Sequence, residues 1–175
     1  MSSMLEQVAP EPAPQKPGDA EKLVIFAWSG ELDRIWPTLI LATTGAAMGK
    51  ETTVFFTFWG LFPLVKNEVR ITGENWMQKM LSMMNPGGMA HLRLSKMNVA
   101  GAGRAMMMHL AREHNVAGPQ ELMALAGEMG VKLVPCQMTM DLLGLRREDL
   151  VEGLEEPAGA TTALAEAQGA ITLFI

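Results

Sequence analysis

The sequence predicts a three-layer α/β sandwich with a mostly parallel central sheet. Short apolar or β-branched runs alternate along the chain with segments of helical periodicity. The first helical segment joins two of these runs into a β-α-β unit, whose right-handed crossover makes the two strands parallel. With no sequence repeat, this alternation is typical of a layered α/β fold.

The β-α-β unit occupies residues 22–58. Leu23–Phe26 is a continuous apolar run, which suits a strand buried on both faces. Apolar residues then recur at helical spacing from Glu31 to Met48, and Gly49 is a natural end for this helix. The β-branched and aromatic run Thr52–Phe58 is the second strand.

The second half of the chain continues the alternation. Strands are predicted at 131–135 and 171–175, and helices at 103–114, 119–129, 139–143 and 157–168, with a helical turn at 147–151. The predicted arrangement is close to that of flavodoxin, in which ligands and chemistry gather at the carboxyl ends of the strands.

A length of 175 residues suits one domain, which we place at residues 21–175. Residues 1–20 hold prolines at positions 10, 12, 14 and 17 and no apolar run, so we expect a disordered tail. Prolines and glycines punctuate residues 61–98, which we interpret as a Met-rich insertion. The sixteen methionines concentrate between Met77 and Met140, where filling of an irregular core is favoured over an adaptable contact surface.

Composition narrows the class of function. A net charge of −5 and scattered lysines and arginines argue against a nucleic-acid partner. An apolar share of 49% with only 19% charged residues predicts burial between subunits, in a homo-oligomer of three, four or six copies. No apolar window reaches the ~18 residues of a membrane span, so we expect a soluble protein and leave peripheral membrane association open. A single cysteine cannot form an internal disulfide, which favours the cytoplasm.

Cys136 is the main candidate for chemistry, because it follows the third predicted strand directly and precedes a helix. Donors at a helix N-terminus favour a thiolate, so we expect an exposed sulfur with a pKa below the ~8.5 of a free cysteine. The alternative is a buried cysteine that serves as a small hydrophobe. Gln137, Thr139 and Asp141 could orient the sulfur or cap the helix, and Asp141 could instead complement the helix dipole from the first turn.

Trp59 and Gly60 end the second predicted strand, beside the expected end of the third. The indole could therefore form a wall of the cysteine site or pack in the core.

We predict neither a cofactor nor a metal. The turn at Ser29–Gly30 is followed by acidic residues that would repel the phosphate of FMN, and Gly101–Gly103 follows no convincing strand. The three histidines, His91, His109 and His114, show no metal-ligand spacing.

Five segments carry a resemblance to a known family. They are Phe56–Leu61 (FTFWGL), Leu94–Asn98 (LSKMN), Gly130–Leu133 (GVKL), Cys136–Asp141 (CQMTMD) and Ile171–Ile175 (ITLFI). From Lys22 to Ile175 the sequence resembles the DsrE/DsrF-like family, in the branch often labelled DsrE or peroxiredoxin-like.

The resemblance implies a DsrEFH-like fold and a persulfide on the cysteine of a C-x-M-[ST]-M-D stretch, which is Cys136 in this chain. It also implies a cytoplasmic sulfur carrier or sulfurtransferase that exchanges sulfur with rhodanese-like and TusA-like carriers. A non-catalytic assembly or membrane-associated subunit is the alternative. A thiol peroxidase is disfavoured, because Leu133 stands where peroxiredoxins place a threonine and the chain has no second cysteine to resolve the oxidised one.

Overall fold

A computed structural model describes residues 21–67, 87–96 and 101–175. The predicted disordered tail and the central part of the predicted insertion lie outside the described residues. The strands are β1 (Lys22–Ala27), β2 (Glu51–Phe56), β3 (Lys132–Pro135) and β4 (Ile171–Phe174). The α-helices are α1 (Leu32–Ala47), α2 (Ala102–Glu113), α3 (Pro119–Glu128), α4 (Gln137–Leu143) and α5 (Ala160–Glu166), and short 3-10 helices occupy Phe58–Leu64, Met89–His91 and Arg147–Asp149.

The predicted α/β class with a parallel central sheet is confirmed. All three strand pairs are parallel, in the order β3-β2-β1-β4. Helices α1 and α3 pack their buried faces against one side of the sheet, where most of the core lies. On the other side, Ala163 of α5 packs with Phe55 of β2 and with Cys136. The sheet is therefore the middle of three layers.

The outer edge of β3 is covered by residues 155–158, which run beside it in an extended conformation. The backbone N–H of Glu155 donates to the carbonyl of Leu133 at 2.9 Å, and that of Ala158 donates to Pro135 at 3.0 Å. The helix predicted from residue 157 therefore begins only at Ala160. Pairing with β3 outweighs the helical preference of this alanine-rich stretch.

Both ends of the predicted insertion contribute to the main core. Leu61 and Leu64 are fully buried, and Met89 and Leu92 are also buried. The Leu64 carbonyl accepts a hydrogen bond from the N–H of Val151 at 2.8 Å, which ties this region to the segment after α4. These ends are therefore integral to the layer that contains α1.

The methionines follow the predicted role in the core only in part. Met89 and Met140 are buried. The exposed ones within the described ranges are Met48, Met106, Met107, Met129 and Met138. For the last four, which lie between Met77 and Met140, the prediction of core filling is wrong, because they lie on the outer faces of helices or at helix ends.

None of the helices in the described ranges combines the length and the apolar character needed to cross a bilayer.

Candidate functional site

Cys136 lies at the carboxyl edge of the sheet, in the β-α turn that the sequence predicts. It is the N-cap residue of α4. Its backbone N–H donates to the carbonyl of Phe56 at 2.9 Å, across the gap between the ends of β3 and β2. The position of the sulfur is therefore fixed by two neighbouring strands and by the start of a helix.

The Cys136 side chain is buried, with only 6% of its surface exposed. It packs with Phe55 from the sheet and Ala163 from α5. The segment that covers β3 also passes over the site, because the Ala158 carbonyl accepts the N–H of Gln137 at 3.0 Å. The expectation of an exposed sulfur is therefore wrong, because Phe55 of the sheet, Ala163 of α5 and Ala158 pack around this side chain.

Two threonine hydroxyls meet beside the sulfur. Thr139 is buried on α4, and Thr57 is half-buried just beyond the end of β2. Their Oγ1 atoms lie 3.3 Å apart. Thr139 Oγ1 also accepts a hydrogen bond from the backbone N–H of Phe58 at 3.0 Å. Both hydroxyls also lower the pKa of the Cys136 thiol.

The environment of the sulfur favours the thiolate. Burial raises the pKa of the Cys136 thiol, but the Thr139 hydroxyl and N–H, the Thr57 hydroxyl and the Met138 N–H together lower that pKa below its ordinary value. The N–H groups act at close range although the thiol makes no conventional N-cap hydrogen bond. The shift has the direction expected from the helix N-terminus, and the threonine hydroxyls add to that effect.

Gln137 and Asp141 pair with each other on the exposed surface of α4. Gln137 Nε2 donates to Asp141 Oδ1 at 2.7 Å, one helical turn away. Asp141 is the fifth residue of the helix, because α4 begins at Gln137 and not at Thr139. Its expected place in the first turn is therefore wrong. Of the three polar candidates after Cys136, Thr139 is the one whose side chain acts on the sulfur.

Trp59 packs with the main core on the α1 side of the sheet. Its indole stacks on Phe62 with ring centroids 5.7 Å apart, whereas Cys136 packs on the α5 side. This contact favours the core-packing interpretation of Trp59. Gly60 is buried and donates its N–H to the carbonyl of Trp28 at 3.0 Å, so it joins the turns that follow β1 and β2.

Sequence reasoning missed Thr57 and Phe58 as parts of the site. Thr57 could have been found, because the carboxyl ends of adjacent parallel strands meet at one edge and Thr57 follows the neighbour of β3. Phe58 has a positive φ of 51°, which is rare for a bulky residue. A backbone conformation of this kind leaves no signal in the composition of the segment.

Large exposed apolar side chains are clustered along the same edge of the sheet. Trp28, Phe58 and Phe174 lie at or just beyond the carboxyl ends of β1, β2 and β4, and Met138 lies on the first turn of α4. Trp28 stacks on Phe174 with ring centroids 6.2 Å apart. We call these four residues the apolar rim.

The described histidines show no arrangement suited to a metal. His109 faces Glu113 on the exposed side of α2, at 3.4 Å. Within residues 21–67, 87–96 and 101–175, no three ligand-type side chains of His, Cys, Asp or Glu lie close enough together to hold an ion. The absence of a resident metal stays a prediction.

Comparison with known proteins identifies the family of this chain. Residues 19–174 match the model of the DsrE/DsrF/DrsH-like family. The uncharacterized protein YrkE of Bacillus subtilis is 40% identical over 156 residues, which cover 89% of this chain and 97% of YrkE. The sulfur carrier protein DsrE2 of Allochromatium vinosum is 36% identical over 160 residues, covering 90% of this chain and 99% of DsrE2.

A solved structure gives a weaker likeness. The protein of unknown function MTH1491 from Methanobacterium thermoautotrophicum is 11% identical, with a TM-score of 0.47, over 88% of this chain and 98% of that one. Assignment to a family depends on the sequence matches alone. These run along nearly the whole chain, and they show that it belongs to the DsrE/DsrF/DrsH-like family, as the resemblance predicted.

Proposed function

We propose that this protein is a sulfur carrier that holds sulfane sulfur as a persulfide on Cys136 and exchanges it with partner carrier proteins. The observation that carries the proposal is the position of Cys136 at the carboxyl edge of the sheet and at the N-terminus of α4, where neighbouring donors lower the pKa of its thiol. Family membership and the likeness to a protein named sulfur carrier protein DsrE2 support it.

The transfer needs no external oxidant. The Cys136 thiolate attacks the outer sulfur of a donor persulfide, so that a new S–S bond forms on Cys136. The donor's own S–S bond breaks, and its electron pair leaves with the donor thiolate. Delivery is the same exchange in reverse, with an acceptor thiolate attacking the outer sulfur on Cys136. The terminal sulfur is anionic near neutral pH, and donors close to it favour the loaded state.

The buried position of Cys136 fits transfer through a terminal sulfur. An added sulfur extends the side chain by about 2.0 Å, the length of an S–S bond. The atom to be transferred is therefore displaced away from the backbone that fixes Cys136, while the Cys136 sulfur keeps its hydroxyl neighbours. The Cys136 sulfur thus stays in place, and only the outer sulfur of the persulfide is exchanged.

The apolar rim suits a protein as the exchange partner better than a small polar molecule. Phe174 and Met138 are each 70% exposed, and large exposed apolar groups at one edge are typical of a protein contact surface. We propose rhodanese-like and TusA-like carriers as donors and acceptors, and the cytoplasm as the compartment.

A non-catalytic assembly subunit is the second candidate, because Cys136 is buried against Phe55 and Ala163 as a structural cysteine would be. Peroxidase activity remains disfavoured, because the chain has no second cysteine to resolve an oxidised Cys136.

Sulfur loading tests the proposal directly. Native protein is incubated with polysulfide, or with thiosulfate and a rhodanese, and its intact mass is measured before and after treatment with a reductant. We expect the mass to increase in steps of one sulfur atom and to return to its starting value on reduction. Cys136→Ser is the matched control and should gain nothing, since the chain has no other cysteine. An equal gain by Cys136→Ser, or no gain by the native protein, contradicts the carrier function.

We also propose that the chain forms a homo-oligomer, which would bury exposed apolar side chains outside the rim, such as those of Ile40 and Leu110. Light scattering of a dilute sample should give three, four or six times the chain mass of 19.0 kDa. A monomer under native conditions would contradict this assembly.

A further inference from the structure

A cavity of about 140 Å³ lies between α2 and the start of α3. We propose that it binds a small monocarboxylate with an apolar body, whose carboxylate is held by the guanidinium of Arg104. Leu32 and Met89 of the main core line this cavity, whereas Cys136 packs in the smaller cluster on the α5 side of the sheet. The site is therefore separate from the sulfur site, and the inference does not rest on the proposed function.

The side chain of Arg104 carries a buried donor without an acceptor. Its Nε atom is shielded from solvent, and nothing in residues 21–67, 87–96 or 101–175 accepts a hydrogen bond from it. Nearly all buried polar groups in folded proteins have a partner, and a charged group without one is especially costly. Because Arg104 lines the cavity, a molecule bound there could supply the missing acceptor.

The charge of the cavity favours an anion. Its ionisable lining residues are Arg104, Arg112 and Glu121. Among the described residues neither arginine forms an ion pair, whereas Glu121 Oε2 accepts the backbone N–H of Gly118 at 2.8 Å. The helix α3 begins at Pro119, which also lines the cavity, so the positive end of its dipole adds to the field of the arginines.

The shape of the guanidinium favours a carboxylate among the anions. The Nε and one terminal nitrogen of an arginine donate two parallel N–H bonds, whose spacing matches the two oxygens of a carboxylate. The unpaired Nε leaves this side-on pairing available to Arg104. A carboxylate in this position would satisfy the buried donor and neutralise the charge beside it.

The rest of the lining favours an apolar body on the ligand. The apolar side chains that line the cavity are Leu32, Met89, Met108, Ala111 and Val116. A cavity of about 150 Å³ holds a molecule of the size of benzene. Arg112, Gln120 and Glu121 are exposed, so the cavity opens to solvent on their side. A ring or a short hydrocarbon chain that carries one carboxylate therefore fits both the apolar lining and Arg104.

Titration calorimetry of the full chain with benzoate and with benzamide tests the proposal. The two molecules have nearly the same shape, but only benzoate carries a charge. We expect saturable binding of benzoate, with a dissociation constant in the millimolar range or below. Benzamide should bind about tenfold more weakly, because it cannot form the charge-assisted pair with the guanidinium.

The side chain is tested by Arg104→Gln, which should weaken the binding of benzoate about tenfold and leave that of benzamide little changed. Arg146→Gln is the matched control, since it removes the same charge from an exposed arginine that does not line the cavity. It should bind benzoate as the native protein does.

The proposal is wrong if the native protein shows no saturable binding of benzoate or binds benzamide equally well. Undiminished binding of benzoate by Arg104→Gln also overturns it, as does saturable binding of inorganic phosphate in place of benzoate. If Arg104→Gln does not fold, nitrogen-15 NMR of the native protein takes its place. Benzoate should then shift the Nε–H resonance of Arg104, and a resonance that stays fixed while benzoate binds overturns the assignment.

Discussion

Gly60→Ala is expected to destabilise the folded protein by about 3 kcal/mol or more. A Cβ at this position would collide with the backbone carbonyl of Ala27, which belongs to the buried central strand β1 and cannot easily move. Gly60 also holds the turn after β1 through its hydrogen bond to Trp28. Urea denaturation of the native and substituted proteins measures the loss directly.

Gly127→Ala is the matched control for this prediction. Gly127 lies near the end of α3, and no atom lies within 4 Å of a Cβ added there. Alanine is favoured over glycine in a helix by roughly 0.5–1 kcal/mol, so the same substitution should raise stability. A neutral Gly60→Ala together with a stabilising Gly127→Ala would contradict the close approach of Gly60 to the backbone of Ala27.

Phe56→Ala is expected to cost about 3–5 kcal/mol, because it empties a fully buried site at the end of β2. For a chain of this length each kcal/mol lowers the melting temperature by roughly 2–4 °C, so a fall of about 10 °C is expected. Differential scanning calorimetry measures it.

Phe174→Ala removes the same ring from a position that is 70% exposed and serves as the comparison. Its contacts with Phe26 and Trp28 are at the surface, so the loss should be about 1 kcal/mol or less. Equal losses in the two variants would mean that the face of the sheet occupied by Phe56 is not the principal core.

The order of the strands and helices could be predicted from the sequence because it depends on apolar periodicity. The buried run of β1, the helical spacing of α1 and the glycine after it each follow local rules that the structure obeys. The position of Cys136 at the carboxyl edge of the sheet could be predicted for the same reason. A residue that directly follows a parallel strand lies at that edge whatever the details of packing.

The arrangement around the sulfur could not be predicted, because it depends on contacts between residues far apart in the chain. Thr57 and Thr139 are brought together by the pairing of β2 with β3. Cys136 is buried because Phe55 of β2 and Ala163 of α5, which are more than 100 residues apart in the chain, pack against it. Neither effect is local, so neither could be read from the periodicity of one segment.

The segment 155–158 has a further consequence, for the way in which copies of this chain can associate. An unending fibre built by sheet extension would join the β3 edge of one copy to the β4 edge of the next. Residues 155–158 already hydrogen-bond to the outer edge of β3, which leaves β4 as the open edge of the sheet within the described chain. Two copies that pair through β4 are related by a two-fold axis. This pairing occupies the β4 edge of both copies, so a third copy cannot be added there. The segment that pairs with β3 thus also protects the folded protein against linear polymerisation.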